Sequence, residues 1–209
     1  MAIHAMRVVV VSAGGLGNVH SVLRAIDRAA KQSATLVSDP DDVRRADVVV
    51  VPGQGTFGAF SKAMEGGLGD ALVERVRADR PYLGICLGLQ ILFEESDEAP
   101  GERGLGVVSG RVDRLVAEPL PHIGWNEVTP SASASLIKKP THFYFAHSFA
   151  CSPVDPSIVT ATTEYDGRRF TSAVGFGAVA GVQFHPEKSQ QAGLDLLERF
   201  FANIRGKPA

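Results

Sequence analysis

Gly84-Ile85-Cys86-Leu87-Gly88-Leu89-Gln90 ends the apolar run that begins at Tyr82, and it holds a cysteine between two glycines where that run passes into a helical pattern. A chain that leaves a buried strand for a helix in one sharp turn crowds any Cβ beside the turning residue, so glycines at 84 and 88 suit a thiol displayed at 86. Such a turn also sets the sulfur against the free N–H groups and positive end of the following helix, which favour thiolate and can hold a developing oxyanion. A free cysteine is often only a small buried hydrophobe. The flanking glycines favour reading Cys86 as a nucleophile, whereas Cys151, followed by Ser152-Pro153, lacks that frame and reads as packing.

Toward the N-terminus, short apolar runs alternate with helical patterns. Residues 7–12 read as a strand, Gly14-Gly15-Leu16-Gly17 as a turn and 18–31 as a helix. Residues 34–37 and 47–51 read as further strands, because near-continuous β-branched runs suit a parallel sheet covered on both faces. Helical spacing follows Gly66-Gly67 over 68–78, the strand 82–86 comes next, and 87–94 is its helix.

Toward the C-terminus, residues 106–116, 122–128, 142–149, 158–165 and 171–184 all read as strands, and the alternating Ser131-Ala132-Ser133-Ala134-Ser135 as an exposed loop. A closing helix over 194–204 carries Leu194, Leu197, Phe201 and Ile204 on one stripe. The expected fold is α/β, a single domain over 1–209 with a mostly parallel central sheet flanked by helices and additional antiparallel strands in the C-terminal half.

Composition narrows the function classes. The 209 residues are 44% hydrophobic, enough to bury a full core. Lys+Arg 21 against Asp+Glu 23 leaves a net charge of −2, which offers no basic surface for nucleic acid. With only two cysteines and no CxxC pair, neither a disulfide framework nor a structural zinc site is expected, and a reducing cytoplasm fits. The first residues carry no basic region before an apolar stretch, and no segment is apolar for long enough to span a bilayer, so no membrane association is expected.

His185-Pro186-Glu187 answers the cysteine from the far end of the chain. Alternation along an extended segment would turn both side chains to one side, where the carboxylate could fix the imidazole tautomer and stabilise imidazolium. Alone, this tripeptide could be a polar surface turn; with a glycine-framed cysteine it reads as base and orienter. Pro52-Gly53-Gln54-Gly55 could be a tight turn, or a loop whose backbone supplies a second oxyanion donor beside the Leu87 N–H, with Gly53 the candidate. Gly15-Leu16-Gly17 lacks the third glycine of a dinucleotide fingerprint, which is replaced by His20. His142 and His147, among Phe143, Tyr144, Phe145 and Phe149, read as a packed strand, and no spacing suggests a metal or other cofactor.

Pro52-Gly53-x-Gly55, Gly84-x-Cys86-x-Gly88-x-Gln90 and His185-Pro186-Glu187 together resemble the class I glutamine amidotransferases over essentially the whole chain. More narrowly, Gly17-Asn18-Val19-x-Ser21, Pro121-His122-Ile123-Gly124-Trp125-Asn126, Tyr144-Phe145-x-His147-Ser148 and Gln183-Phe184-His185-Pro186-Glu187-Lys188-Ser189 are similar to the glutaminase subunits of imidazole glycerol phosphate synthases, of histidine biosynthesis.

The resemblance implies Cys86 as nucleophile, His185 as general base and acid, and Glu187 as its orienter. It also implies Gln90, Glu98 and His147 around the bound L-glutamine, with backbone groups of Gly53, Gly55, Leu87 and Ser148 lining the site. It implies a (β/α)8 barrel cyclase as heterodimer partner, with Asn18, Trp125, Asn126 and Lys188 at the interface. Gln54, where a small apolar residue is expected, and Phe149, where tyrosine is common, depart from the pattern. The Pro-Gly-Gln-Gly stretch distinguishes the chain from glutaminase subunits of pyridoxal phosphate synthase, expected to carry Gly-Gly-Glu-Ser. A stand-alone γ-glutamyl hydrolase and an inactive binding module on the same fold compete with the subunit reading.

Overall fold

The computed structural model describes residues 6–12, 19–53 and 55–206. Strands β1 (Val8–Val11) and β2 (Thr35–Val37) flank helix α1 (Val19–Ala30), and helix α2 (Pro40–Arg45) leads to β3 (Val48–Gly53). Helices α3 (Phe57–Ala63) and α4 (Leu68–Arg77) precede β4 (Tyr82–Cys86), which enters the short helix α5 (Leu87–Gln90). After these come β5 (Glu95–Ser96), β6 (Gly110–Arg114), β7 (His122–Pro130), β8 (Thr141–His147), β9 (Phe149–Pro153), β10 (Val159–Tyr165), β11 (Arg168–Phe176) and β12 (Val179–Val182). Helix α6 (Gln190–Arg205) follows.

The sheet runs β2-β1-β3-β4-β12-β11-β10-β7-β8. Its first five strands are mutually parallel and the pairs from β12 onward are antiparallel. Four consecutive valines make β1 fully buried, and alternation divides them between two cores. Val8 and Val10 face α1 and α6 with Val22, Ile26, Leu196 and Phe200, while Val9 and Val11 face α2, α3 and α4 with Val43, Phe57 and Leu72.

Two short helices that the apolar periodicity does not announce, α2 and α3, are held by their ends. Asp39 caps α2 by accepting from Asp41 N at 2.7 Å, with Pro40 in the first turn, and Thr56 caps α3 by accepting from Ala59 N at 3.4 Å. At the other end of α2, the buried Arg75 guanidinium donates to the carbonyls of Val43 (2.9 Å), Asp47 (3.3 Å) and Ala46. Burial, then Arg80, lowers its pKa to about 10, so it remains charged at neutral pH while satisfying those carbonyls.

The strand expected over 142–149 is divided at Ser148 into β8 and β9, and three other expected elements differ. The helix over 87–94 stops at Gln90, because Leu92 N and Phe93 N bond only three residues back, to Leu89 O and Gln90 O, and Glu94 N donates instead to Gly110 O. Beyond it Leu105, Gly106 and Val107 donate to the carbonyls of Ile91, Phe93 and Leu92. That donation also shortens the strand expected over 106–116 to β6. The run 171–184 divides at Gly177 (φ +54°), where Asp79 accepts from Ala178 N at 2.5 Å; the reversal lets β12 lie parallel to β4. The glycine turn 14–17 lies outside the described residues.

Candidate active site

Parallel pairing of β4 with β12 brings the two ends of the chain together. Val182 is in register with Ile85, so the segment leaving β12 at Gln183 emerges beside Cys86. Cys86 sits at φ +54° and ψ −108°, a backbone geometry uncommon for a side-chain-bearing residue, and forms the elbow between β4 and α5. A Cβ at Gly84 would overlap the Gly88 carbonyl, and one at Gly88 would overlap Val51 O. Those two glycines are therefore required by packing around the elbow. A Cβ at Gly53 would likewise overlap Leu87, and β3 pairs Gly53 with Cys86, which sets that backbone against the turn. Because α5 is a single turn, its dipole contributes less to a thiolate than the expected longer helix would.

The electrostatic support comes instead from His185, 4% exposed and close enough to Cys86 for the sulfur to raise its pKa. Its Nδ1 meets Glu187 Oε1 at 2.9 Å, and the Glu187 carboxylate is buried. The segment after His185 is not extended: Pro186–Lys188 form a 3-10 turn closed by Lys188 N donating to His185 O at 3.0 Å. That turn, rather than strand alternation, swings Glu187 onto the imidazole. It is clamped to β8, since His185 N donates to Tyr144 O at 2.8 Å and the buried Ser189 hydroxyl accepts from Tyr144 N at 2.9 Å and donates to His185 O at 2.7 Å. Burial pushes the His185 pKa down, but the hydrogen bond with Cys86 and the Glu187 carboxylate reverse this and hold it at about 10. Cys151 is buried in the other of the two cores from Cys86, and burial, then the charge of Cys86 and Asp113, raises its thiol pKa, so it stays protonated.

Of the other anticipated residues, Gln90 is buried, its Nε2 donating to Phe149 O and Gln183 Oε1, each at 3.1 Å. Glu98 accepts from Phe57 N at 2.7 Å and so braces the start of α3. The Ser148 carbonyl accepts from Leu115 N at 2.9 Å. His147 is buried and both of its ring nitrogens are bonded inside the protein, Nδ1 to Phe149 O at 2.9 Å and Nε2 to His122 Nδ1 at 3.1 Å. Its ring thus has no free nitrogen to offer a substrate. Burial lowers the pKa of His147 to about 3 and that of His122 to about 4.

Two residues of the neighbourhood escape sequence reasoning: Gln183, fully buried with Nε2 3.5 Å from Cys86 Sγ, and His122 behind His147. Both fall inside motif runs, 121–126 and 183–189, but no spacing rule marks their side chains.

On the outer face of β7 and β8, Ile123 and Trp125 are 61% and 47% exposed, and Trp125 meets Tyr144 edge-on at 6.3 Å. Lys188 Nζ lies 5.7 Å from the same Tyr144 ring. This apolar patch with one cation borders the turn that carries His185. Asn126, on the opposite face, points inward, donating to Glu164 O at 3.0 Å and lying 3.3 Å from His122 Nε2. Asn18 and Gln54 lie outside the described residues. Among the described residues, no group of three or more His, Cys, Asp or Glu could hold a metal ion, and no helix is long and apolar enough to cross a membrane.

A cysteine elbow, a carboxylate-paired histidine and this mixed sheet define a class, and the comparisons agree. The chain belongs to the class-I glutamine amidotransferases, whose family profile matches residues 12–204. A solved glutamine amidotransferase shares the fold, with a TM-score of 0.75 at 21% identity, covering 96% of this chain and 99% of that one. Among its relatives is imidazole glycerol phosphate synthase subunit HisH of Pyrococcus furiosus, 42% identical over 189 residues that cover 89% of this chain and 94% of that protein. The HisH subunit of Methylococcus capsulatus is 43% identical over 200 residues, covering 89% of this chain and 92% of that protein.

Proposed function

We propose that this chain is the glutaminase subunit of an imidazole glycerol phosphate synthase, hydrolysing L-glutamine to glutamate and ammonia and passing the ammonia to a cyclase subunit in histidine biosynthesis. The observation that carries the chemistry is the buried His185, bonded to Glu187 at 2.9 Å and within reach of Cys86 at a strained elbow. Relatives at this identity and coverage, named as HisH subunits, support the particular synthase. They leave the pyridoxal phosphate synthase reading without support.

With His185 held at about 10, its imidazole is charged at neutral pH and is the partner that Cys86 needs when it attacks as thiolate. The Cys86 sulfur attacks the side-chain amide carbon of glutamine, while the Leu87 N–H and a Gly53 N–H stabilise the tetrahedral oxyanion. His185 gives its proton to the departing nitrogen, ammonia leaves, and a glutamyl thioester remains on Cys86. The imidazole, now neutral, takes a proton from water as that water attacks the thioester; collapse expels Cys86 thiolate and releases glutamate. Glu187 holds the Nδ1 proton throughout and stabilises the imidazolium in both halves of the cycle. Gln90 and Glu98 shape the substrate end of the site.

Ammonia released into neutral water becomes ammonium, which has no lone pair for attack, so a protected transfer to a partner is physically required. The partner we propose is a (β/α)8 barrel cyclase docked on the patch formed by Ile123, Trp125, Tyr144 and Lys188, and residues 1–209 act as one amidotransferase domain in the cytoplasm. An exposed Trp beside a cation at the edge of the catalytic turn has the character of an interface anchor.

Glutamate release is measured for the chain alone and with a barrel cyclase and its ribotide ligand. Little turnover alone and a large rise in the complex are expected; rapid turnover that the cyclase leaves unchanged contradicts the subunit role. Cys86→Ala abolishes glutaminase activity and Cys151→Ala retains most of it, whereas equal losses contradict the division between the cysteines. Trp125→Ala weakens partner affinity about 10- to 100-fold while the melting temperature moves by no more than about 2 °C. An unaltered dissociation constant removes Trp125 from the interface.

A further inference from the structure

We propose that Gln183 is a positioning residue for the Cys86 sulfur, its amide held in one orientation by a hydrogen-bond chain that runs back through Gln90, Phe149 O and His147 to His122 and Asn126 on β7. The inference rests on the glutaminase reading, in which that sulfur is the nucleophile.

Each link admits one direction. A carbonyl only accepts, so His147 Nδ1 carries the proton it shares with Phe149 O at 2.9 Å, and the neutral ring must accept at Nε2. His122 Nδ1 therefore donates to it across 3.1 Å, leaving His122 Nε2 to accept from Asn126 Nδ2 at 3.3 Å. Gln90 spends both Nε2 protons, one on the same Phe149 carbonyl and one on Gln183 Oε1, each at 3.1 Å. With its oxygen claimed by Gln90, the Gln183 amide can present only Nε2 to Cys86 Sγ, at 3.5 Å.

Flipping that amide would set two NH2 groups face to face and put an oxygen against the sulfur. The interior positions exclude water that could repair such a mismatch: Gln183 is 0% exposed, Gln90 3%, His122 2% and His147 6%. Burial keeps both histidines neutral at physiological pH, as the chain of donors requires. The terminal member, Asn126, is half-buried on the strand that also bears Trp125, so the proposed docking strand and the nucleophile share one network.

The test compares Gln183→Leu, Gln183→Glu, His122→Phe and His122→Asn in the full chain, each first shown to be folded by its melting transition. Two readouts are taken: the rate of Cys86 alkylation by iodoacetamide at pH 7, followed by peptide mass, and glutaminase kcat and KM in the cyclase complex. Gln183→Leu is expected to slow alkylation about fivefold and to lower kcat about tenfold with KM within about twofold; Gln183→Glu, which keeps the shape but faces sulfur with oxygen, loses more. His122→Phe keeps the ring stack with Phe145 and Tyr165 but loses the donor, and gives about a threefold loss in both readouts; His122→Asn, which keeps a donor at the Nδ1 position, restores most of it.

Alkylation and kcat within about twofold of wild type in both Gln183 variants overturn the positioning role. Identical behaviour of the two His122 variants removes β7 from the chain. Alkylation needs no glutamine, so a wild-type protein that hydrolyses none defeats the glutaminase reading while the alkylation ratios still decide this one.

Discussion

His185 and the pair His122–His147 are three buried imidazoles in one neighbourhood, close enough for His185 to act on the protonation of His147, and they are held in opposite states. Desolvation works against charge on all of them. What separates them is a single carboxylate and a thiol. His185 faces Cys86 and Glu187 and is held at about 10; the hydrogen-bond partners of His122 and His147 are each other, an amide and a carbonyl, with His185 adding repulsion on His147, and they fall to about 4 and about 3. One residue type thus serves as a proton carrier where a charge partner is buried with it, and as a rigid neutral connector where none is.

The sharpest way to break the comparison is to exchange the roles. His185→Gln removes the proton carrier and lowers glutaminase kcat by about 10³- to 10⁴-fold, whereas His147→Asn, which keeps a donor toward Phe149 O, lowers it no more than about tenfold. Steady-state assays in the cyclase complex measure both, and losses of equal size erase the distinction. Next in size is Glu187→Gln, which keeps the shape but not the charge; kcat falls about 10²- to 10³-fold and the His185 imidazole titrates below its wild-type value, as histidine NMR reports. A smaller effect comes from giving His122 the partner it lacks. Asn126→Asp raises the His122 pKa toward neutrality, visible in the same spectra, and reduces activity by less than about fivefold.

The least dramatic consequence is in stability, and its sign differs between the two groups. The folded values of His122 and His147 lie below the ordinary 6.5, so unfolding takes up protons that the fold refuses; their contribution is present above pH 6.5 and is lost as pH falls toward about 4 and about 3. His185, raised above 6.5, contributes stability that is complete below that value and is lost as pH rises through about 10. The urea midpoint should drop by about 0.5 M or more between pH 7 and pH 4.5, and His122→Phe should flatten this acid limb without altering the alkaline one. An acid limb unchanged by that variant would mean other groups set it.

Legibility in the sequence follows the same division. Cys86 between Gly84 and Gly88, and Glu187 two residues from His185, are local patterns, and local patterns survive reading one chain at a time. The parallel strands β1, β3 and β4 are legible because residues buried on both faces leave unbroken apolar runs. The Gln183 network is not, since its members at 90, 122, 126, 147 and 183 meet only through the registers of β7 with β8 and of β12 with β4. Nor does periodicity reveal that α5 ends after one turn, because the N–H of Glu94 is claimed by the carbonyl of Gly110, distant in sequence. The Asp39-Pro40 start of α2 does carry a capping signal, but a helix of six residues has too few apolar positions to show a period.

The central claim is that Cys86 and the buried Glu187 carboxylate together make His185, and not its neighbours, the charged imidazole of this neighbourhood. Imidazole ¹⁵N spectra of the wild-type protein at pH 7 test it directly. The account predicts His185 protonated on both nitrogens, and His122 and His147 neutral with the proton on Nδ1. A neutral His185 at that pH, or a charged His147, would contradict it.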